Sequence, residues 1–564
     1  MKARTVYTVL EETAAKYPEK AALHQPIGGG KYRTWNWREY RDTVQQIAVG
    51  IRELGVNKGD IVALQSETRA EFYLADIGIM TSGAISAALY TSLPYADQVK
   101  TLGGCDARVV FVENEKVRKA LESAAGEPLD VQWVQLTDDS VRALGEKKMR
   151  EDPGVFERIR AEVSESDMAV LYSTSGATGE PKMGLVSQRA LVANMDMAPI
   201  AFPLSPEDST IAFLPSAHIA QRVVVELLPI REGGCIWFSE GLSKLPHELR
   251  TIRPTFFLAP PRVWERVYST VSAEIRKRPA IVRRLFYTAI GLGAEASRRR
   301  QQGKEVPGWM RTSLRMFDRL IFSKIRERLG GRMRLAASGA APLSKELAEF
   351  YGAIGMPLIE GYGLTEGGVA ALNPIERPKA GSIGVLLPGF EARIEEDGEL
   401  MLRGGSLFSG YYKDPEATAA VLRDGWLATG DIAECDADGY YYITGRKKEL
   451  IVSSNGKKIY PSRIEGMLKR EPAINQVLLI GDRMPYVTAL FTVNGAPDEA
   501  RGSVEKAVKT VNKQLASFEQ VRKFKILERD FSIEQGELTP TMKVRRNRVL
   551  ENHRGLVSEM YMGK

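Results

Sequence analysis

Short apolar runs rich in β-branched residues recur through the first 390 residues, at Ile61–Gln65, Arg108–Glu113, Met168–Ser173, Thr210–Leu214, Cys235–Ser239, Thr255–Leu258 and Met333–Ala337. Their length and composition predict buried strands. Between several of them apolar residues return at the spacing of one helix face, as in Trp37–Leu54 and Lys345–Tyr351. Strands alternating with helices predict an α/β fold with mainly parallel sheets. One stretch, Ile77–Ala96, carries no charge for twenty residues, nominally enough to span a bilayer. Gly78, Thr81, Ser82, Gly83, Ser86, Thr91, Ser92 and Pro94 interrupt it, so a buried helix, a short strand and a turn are expected, and no spanning helix.

The pattern changes near Pro388. Phe390–Glu395 and Glu399–Arg403 flank Asp397-Gly398, and Tyr440–Thr444 and Glu449–Ser453 flank a short basic segment; both pairs are predicted as β-hairpins. Beyond Gly445 the remaining chain, roughly one small domain in length, is expected to be α+β. The expected boundary lies inside Gly445-Arg446-Lys447-Lys448, giving a large domain, 1–446, with a β-rich subdomain at its end, and a small mobile domain, 447–564.

Composition narrows the function classes. With 564 residues, 44% hydrophobic and 26% charged, the chain is neither disordered nor fibrous. A net charge of +7 is too small at this length to argue for nucleic acid. Cys105, Cys235 and Cys435 lie too far apart for a CxxC metal site or a disulfide framework. Glu11 and Glu12 stand where an export signal needs apolar residues, so an intracellular, reducing location is expected.

The richest segment is Tyr172-Ser-Thr-Ser-Gly-Ala-Thr-Gly-Glu-Pro-Lys182, which follows a predicted strand. Glycines let successive backbone N–H groups turn inward, hydroxyls add donors, and Lys182 adds a mobile charge: a phosphate cradle. A Walker A loop is excluded by spacing, because Gly176 and Gly179 are three apart and no Gly-Lys-Ser/Thr follows. In Glu360-Gly-Tyr-Gly-Leu-Thr-Glu366, Tyr362 offers a plane for a purine, Thr365 a phosphate donor, and Glu366 the hard oxygen that Mg²⁺ on ATP prefers. Asp431 is suited to two ribose hydroxyls and Arg446 is a fixed fork for ribose or phosphate.

With Leu214-Pro-Ser-Ala-His-Ile219, Arg253-Pro-Thr-Phe-Phe-Leu-Ala-Pro-Pro-Arg-Val-Trp-Glu265, Ser338-Gly-Ala-Ala-Pro-Leu343, Thr429-Gly-Asp431, Thr444-Gly-Arg446 and Leu538-Thr-Pro-Thr-Met-Lys543, these blocks run in an order that resembles the adenylate-forming (ANL) superfamily, most closely its long-chain fatty acyl-CoA synthetases. The resemblance implies nucleotide binding by Thr174, Ser175, Gly176, Thr178, Gly179, Lys182, Gly339, Ala340, Ala341, Gly361, Tyr362, Gly363, Asp431 and Arg446, and catalysis by Lys543, Glu366 and Thr365, with Mg²⁺ on Glu366. It also implies acyl-substrate contacts at His218 and Trp264, a hinge at Lys448, and a loop facing coenzyme A at Ser454, Asn455 and Gly456. For His218 a satisfied core position is an equal alternative. Three positions depart from the pattern: Ala177 where a hydroxyl is usual, Met183-Gly184 where Gly-Val is usual, and Gln188 where histidine is common.

The implied activity is ATP-dependent activation of a long-chain fatty acid through an acyl-adenylate, then thioester formation with coenzyme A. The alternatives are transfer to a carrier-protein thiol, or a degenerate homologue that binds acyl chains or nucleotide without turnover. One segment adds a partner. Residues 276–334 hold 17 Lys and Arg against four acids, a local +13 within a chain of +7, interleaved with Phe286, Trp309, Phe317, Leu320 and Ile321. The spacing of Phe317, Leu320, Ile321 and Lys324 predicts a basic amphipathic helix able to lie on an anionic membrane, against the alternative of helices packed on the large domain. The expected location is therefore cytoplasmic, peripheral on the inner face of a membrane.

Overall fold

The computed structural model describes residues 4–174, 182–539 and 542–562. It divides into two compact units: the described residues up to Glu391 with Leu402–Leu427, and Ala392–Met401 with the described residues from Ala428 onward.

In the larger unit the predicted strands form around the residues expected. A seven-stranded sheet runs in the order Gly410–Tyr411, Lys182–Ser187, Met168–Thr174, Ile85–Ala88, Ile61–Gln65, Val109–Val112 and Gln132–Gln135. From Met168–Thr174 onward the strands are parallel, and the first two joints are antiparallel. A second sheet sets Phe256–Ala259, Leu335–Ser338 and Leu358–Leu364 in parallel and closes with antiparallel Gly368–Leu372 and Val385–Leu386. Helices cover these strands because one face of each is apolar. The helix Trp37–Glu53 buries Trp37, Tyr40, Val44, Ile47 and Ile51, and starts where Asn36 and Glu39 exchange backbone bonds at 2.8 Å. Such a cap is worth about 1 kcal/mol. The uncharged stretch resolves into the helix Ala70–Thr81 and the strand Ile85–Ala88, and among the described residues no helix is long and apolar enough to cross a membrane.

The smaller unit is α+β. Ile474–Ile480, Val487–Val493 and Val521–Ile526 form its sheet, against which Pro461–Leu468 and Pro497–Asn512 bury Ile464, Leu468, Val504 and Val508.

One predicted hairpin is corrected. Tyr441–Arg446 does not pair with the strand after it; it pairs antiparallel with Trp426–Cys435 upstream. The tight turn is at Asp436, whose carboxylate accepts the N–H groups of Asp438 and Tyr440, both at 3.0 Å. Lys447–Glu449 forms a short helical turn instead, and Ile451–Val452 pairs with Lys458–Ile459. The Asp397-Gly398 hairpin forms as predicted, with Gly398 N–H donating to the carbonyl of Glu395.

The predicted amphipathic helix is corrected too. Of the face inferred from spacing, Phe317 is buried and Ile321 packs on the same core, whereas Leu320 and Lys324 are exposed, so that face is divided between core and surface. Leu320 joins Trp309 and Met316 in an exposed stripe.

Candidate nucleotide and acyl-activation site

In the larger unit, Thr174 and Lys182 are paired residues at the ends of antiparallel strands, and the Thr174 hydroxyl donates to the Lys182 carbonyl at 2.9 Å. Ser175, Gly176, Ala177, Thr178 and Gly179 lie outside the described residues. The Lys182 ammonium stands 5.0 Å from the ring centroid of Tyr411, a cation–π contact. The Tyr411 hydroxyl donates to Glu366 Oε1 at 2.7 Å. Burial, reinforced by the Glu366 carboxylate, pushes the Tyr411 hydroxyl well above its usual range, so it stays a donor. Three residues distant in sequence thus form one chain: a cation, an aromatic face and a carboxylate.

Glu366 sits in the turn between the antiparallel strands Leu358–Leu364 and Gly368–Leu372. The turn is tight enough to need glycine: a Cβ at Gly363 would lie 2.5 Å from the carbonyl oxygen of Gly368. Asn194 clamps it, accepting the N–H of Val369 at 3.0 Å and donating to its carbonyl at 3.3 Å. Tyr362 lies on the same hairpin, half-buried opposite Ala371, and Thr365 is half-buried beside Glu366.

The block at 338–343 is tied to this hairpin by Glu360. Its buried carboxylate accepts the N–H of Leu343 at 3.0 Å. Burial raises Glu360 to about 8, with the Leu343 N–H pulling the other way. Between the two, Gly339, Ala340 and Ala341 follow the strand Leu335–Ser338, and Ala340 takes φ +68°, a strained conformation for a residue with a Cβ.

Two departures from the family pattern acquire reasons. A Cβ at position 184 would touch Phe408 at 3.3 Å and Thr365 at 3.9 Å, so Gly184 leaves room beside the site. Gln188 is buried and structural: it accepts the Val6 N–H at 3.0 Å and donates to the Met80 carbonyl at 3.1 Å.

His218 is half-buried, and its Nδ1 accepts the N–H of Ala220 at 3.2 Å, which leaves Nε2 to carry the proton of the neutral ring. Trp264 is a core residue. It is fully buried between Phe257 and Tyr351, its Nε1 donates to the Ala259 carbonyl at 3.1 Å, and its own carbonyl accepts from Tyr351 at 2.8 Å.

In the smaller unit, Asp431 and Arg446 are paired residues of adjacent strands, joined from Nε to Oδ1 at 3.0 Å; Asp431 is buried and Arg446 half-exposed. Thr429, two residues earlier on the same strand, donates to the Leu400 carbonyl at 2.7 Å. Lys447 bonds Glu399 and Asp397, each at 2.6 Å, and Lys448 beside it is exposed. Ser454, Asn455 and Gly456 form an exposed turn closed by the Gly456 N–H on the Ser453 carbonyl at 2.8 Å.

Lys543 is exposed at a small loop in which Thr539 N–H meets the Lys543 carbonyl at 2.8 Å and Lys543 N–H meets Thr539 Oγ1 at 3.0 Å. The loop hangs from Glu537, a buried carboxylate that sequence reading passed over. Burial opposes its charge, but Arg529 at 2.6 and 2.8 Å and Asn552 at 3.1 Å hold it down at about 2. The only signal was its place immediately before the block that ends at Lys543.

The larger unit thus presents Lys182, Tyr411 and Glu366 together, and the smaller unit, described by itself, presents the Asp431–Arg446 pair and the Lys543 loop. The chain belongs to the AMP-binding enzyme family: the model of that description matches residues 10–412, and that of the AMP-binding enzyme C-terminal domain matches 448–564. It is similar to the long-chain-fatty-acid–CoA ligase FadD15 of Mycobacterium bovis, 33% identical over 96% of this chain and 94% of that protein. Two solved structures share the fold. The anthranilate CoA ligase AuaEII with anthranoyl-AMP has TM-score 0.75 and 19% identity, covering 99% of each chain. The adenylation domain of a carboxylate reductase from Mycobacterium chelonae has TM-score 0.76 and 22% identity, covering all of this chain and 92% of that one.

Proposed function

We propose that the protein is a long-chain fatty acid–CoA ligase: the acid attacks the α-phosphorus of ATP, pyrophosphate leaves, and the coenzyme A thiol then displaces AMP from the acyl-adenylate. The observation that carries this reading is the near full-length similarity to a protein named for that activity. Lys182 and Thr174 flank the phosphate loop, Tyr362 stacks on the purine, and Thr365 bonds the α-phosphate. Asp431 receives the ribose hydroxyls and Arg446 orients them. Lys543 stabilises charge on the attacking and α-phosphate oxygens, so catalysis is positioning plus charge stabilisation. Glu366, half-buried and keeping acceptor capacity beyond its bond to Tyr411, suits Mg²⁺, which takes one or two carboxylates along with phosphate oxygens. The ion would neutralise phosphate charge. The domain 447–564 turns at Lys448 between half-reactions, bringing Ser454, Asn455 and Gly456 toward coenzyme A; His218 lies on the acyl side. Pyrophosphate exchange into ATP that depends on a long-chain acid tests the reading, and exchange without acid, or none, would refute it.

A second reading concerns location. Seven of the seventeen exposed large apolar side chains among the described residues lie between 276 and 334, including Ile281 at 79% and Trp309 at 61% exposure. Exposed Arg311, Arg315 and Arg319 flank the stripe of Trp309, Met316 and Leu320. A helix with apolar and basic residues on one exposed side suits an anionic bilayer, each basic residue adding about 1 kcal/mol near the surface. Binding to anionic vesicles should weaken with salt and with charge reversal of these three arginines. Salt-insensitive binding, or none, would refute it.

A further inference from the structure

The larger unit buries a charged cluster that the site described above does not use. Arg222, on the π-helical turns Gln221–Leu227, and Asp76, on the helix Ala70–Thr81, both have side chains wholly removed from solvent. Two bonds join them, Nε to Oδ2 at 3.0 Å and Nη2 to Oδ1 at 2.7 Å, and Ser86 donates to the same carboxylate. The guanidinium lies 5.0 Å from the ring centroid of Tyr172. Gln221 donates to the Tyr73 hydroxyl at 2.8 Å. Glu226, one turn further on, is also fully buried; burial, with the charge of Asp76 added, keeps its carboxyl protonated.

Stability alone does not account for this set. An ion pair removed from water carries a desolvation penalty of several kcal/mol per ion, and apolar residues of similar volume are often neutral or better. Satisfaction within the cluster is incomplete: Gln221 Oε1 and Arg222 Nη1 make no well-formed hydrogen bond, and Tyr172 and Glu226 have only Arg222 and Asp76 to turn to. Buried polar groups so placed call for an explanation. The π-helical turns add a third cost, and such turns are found mostly at functional sites.

Position supplies the explanation. The π-helical turns begin three residues after His218, in the segment that follows the acyl-side block. Tyr172 lies two residues before Thr174, on the strand that runs into the phosphate loop. Asp76 is held by Ser86, whose strand is the parallel neighbour of that same strand, with Ser86 opposite Val170. Arg222 therefore links the chain segment on the acyl side to the strand on the phosphate side.

We propose that Arg222, held by Asp76, is a positioning residue for adenylate formation: it fixes segment 214–220 against the strand Met168–Thr174, so that carboxylate and α-phosphate meet in register. This rests on the ligase reading. Arg222 touches neither substrate, so its loss should act on alignment. A misplacement of roughly 1 Å can cost about a hundredfold in rate without loss of binding.

The test pairs Asp76→Asn with Arg222→Met, which removes both charges and conserves volume. Its unfolding temperature should stay near wild type. ATP and palmitate should each bind with Kd within about twofold, while kcat for palmitate-dependent pyrophosphate exchange falls at least about tenfold. Arg222→Lys keeps a charge for Asp76 but loses the two-pronged bond, and should show the same split. A stable double variant with kcat within about twofold of wild type overturns the proposal. So does a loss of kcat that merely follows a lowered unfolding temperature and weakened Kd values, which would make the cluster a fold element only. If the double variant does not fold, the same split in Arg222→Lys decides. Exchange by the wild-type protein tests the ligase reading separately, so the two failures are distinguishable.

Discussion

Replacing Tyr411 by phenylalanine isolates one bond of the site. The substitution deletes the hydroxyl that donates to Glu366 Oε1 at 2.7 Å and keeps the ring under the Lys182 ammonium. A hydrogen bond to a charged acceptor contributes about 1.5–3 kcal/mol. Because Glu366 is half-buried, water can replace part of it, so the lower end applies and kcat/KM for Mg·ATP should fall by about tenfold. Tyr411→Ala removes the ring as well, and a cation–π contact of about 0.5–1 kcal/mol adds a further factor of about two to five. The assay is acid-dependent pyrophosphate exchange at varied Mg²⁺. A double-mutant cycle with Glu366→Gln asks whether the hydroxyl acts through that carboxylate. If it does, Tyr411→Phe costs little once Glu366 is already an amide, and the two losses are not additive. A Tyr411→Phe protein within about twofold of wild type, or strictly additive losses, would refute the reasoning.

Three further outcomes follow from the geometry. Lys543→Ala should cut adenylate formation by ~10²–10³ and largely spare thioester formation from supplied acyl-adenylate; equal loss of both half-reactions, measured separately, would remove Lys543 from its role. Lys448→Pro should retain adenylation and lose CoA transfer, because proline fixes φ where the hinge must turn, and wild-type acyl-CoA synthesis would place the pivot elsewhere. Glu360 is held at about 8, while an unfolded carboxyl ionises near ~4.3. Stability attached to it is therefore full below that lower value and is lost as pH rises through about 8. Glu360→Gln should flatten the wild-type decline in unfolding temperature between pH 5 and 8.5, and an unchanged slope would show that Glu360 is not the group responsible.

Local pattern carried much of the fold. The strands at Ile61–Gln65 and Met168–Thr174 form where apolar β-branched runs lie, because burial on both faces leaves few alternatives. What pattern could not carry was partner choice. Tyr441–Arg446 looked ready to pair forward, yet the Asp436 turn delivers it to the strand behind. Periodicity found a helix through Phe317 and Ile321 but not which side the core would take. At the site, the motif residues Glu366, Asp431 and Arg446 were legible because their chemistry is local. Tyr411 was not, since only the pairing of its strand with Gly184 brings it over Lys182 and Glu366. Glu360 stands inside a quoted block and Glu537 just before one, but their work as buried anchors depends on Leu343 and Arg529, which sequence spacing does not bring to them. Trp264 is a motif residue whose aromatic neighbours, Phe257 and Tyr351, spacing alone does not bring to it.

Isotope transfer tests the acyl-adenylate intermediate directly. Palmitate labelled with ¹⁸O in its carboxylate, incubated with the protein, ATP, Mg²⁺ and coenzyme A, should yield palmitoyl-CoA and AMP carrying one ¹⁸O, because the attacking carboxylate oxygen stays on the α-phosphorus when the thiol displaces AMP. Unlabelled AMP, or ADP and phosphate as the nucleotide products, would contradict it.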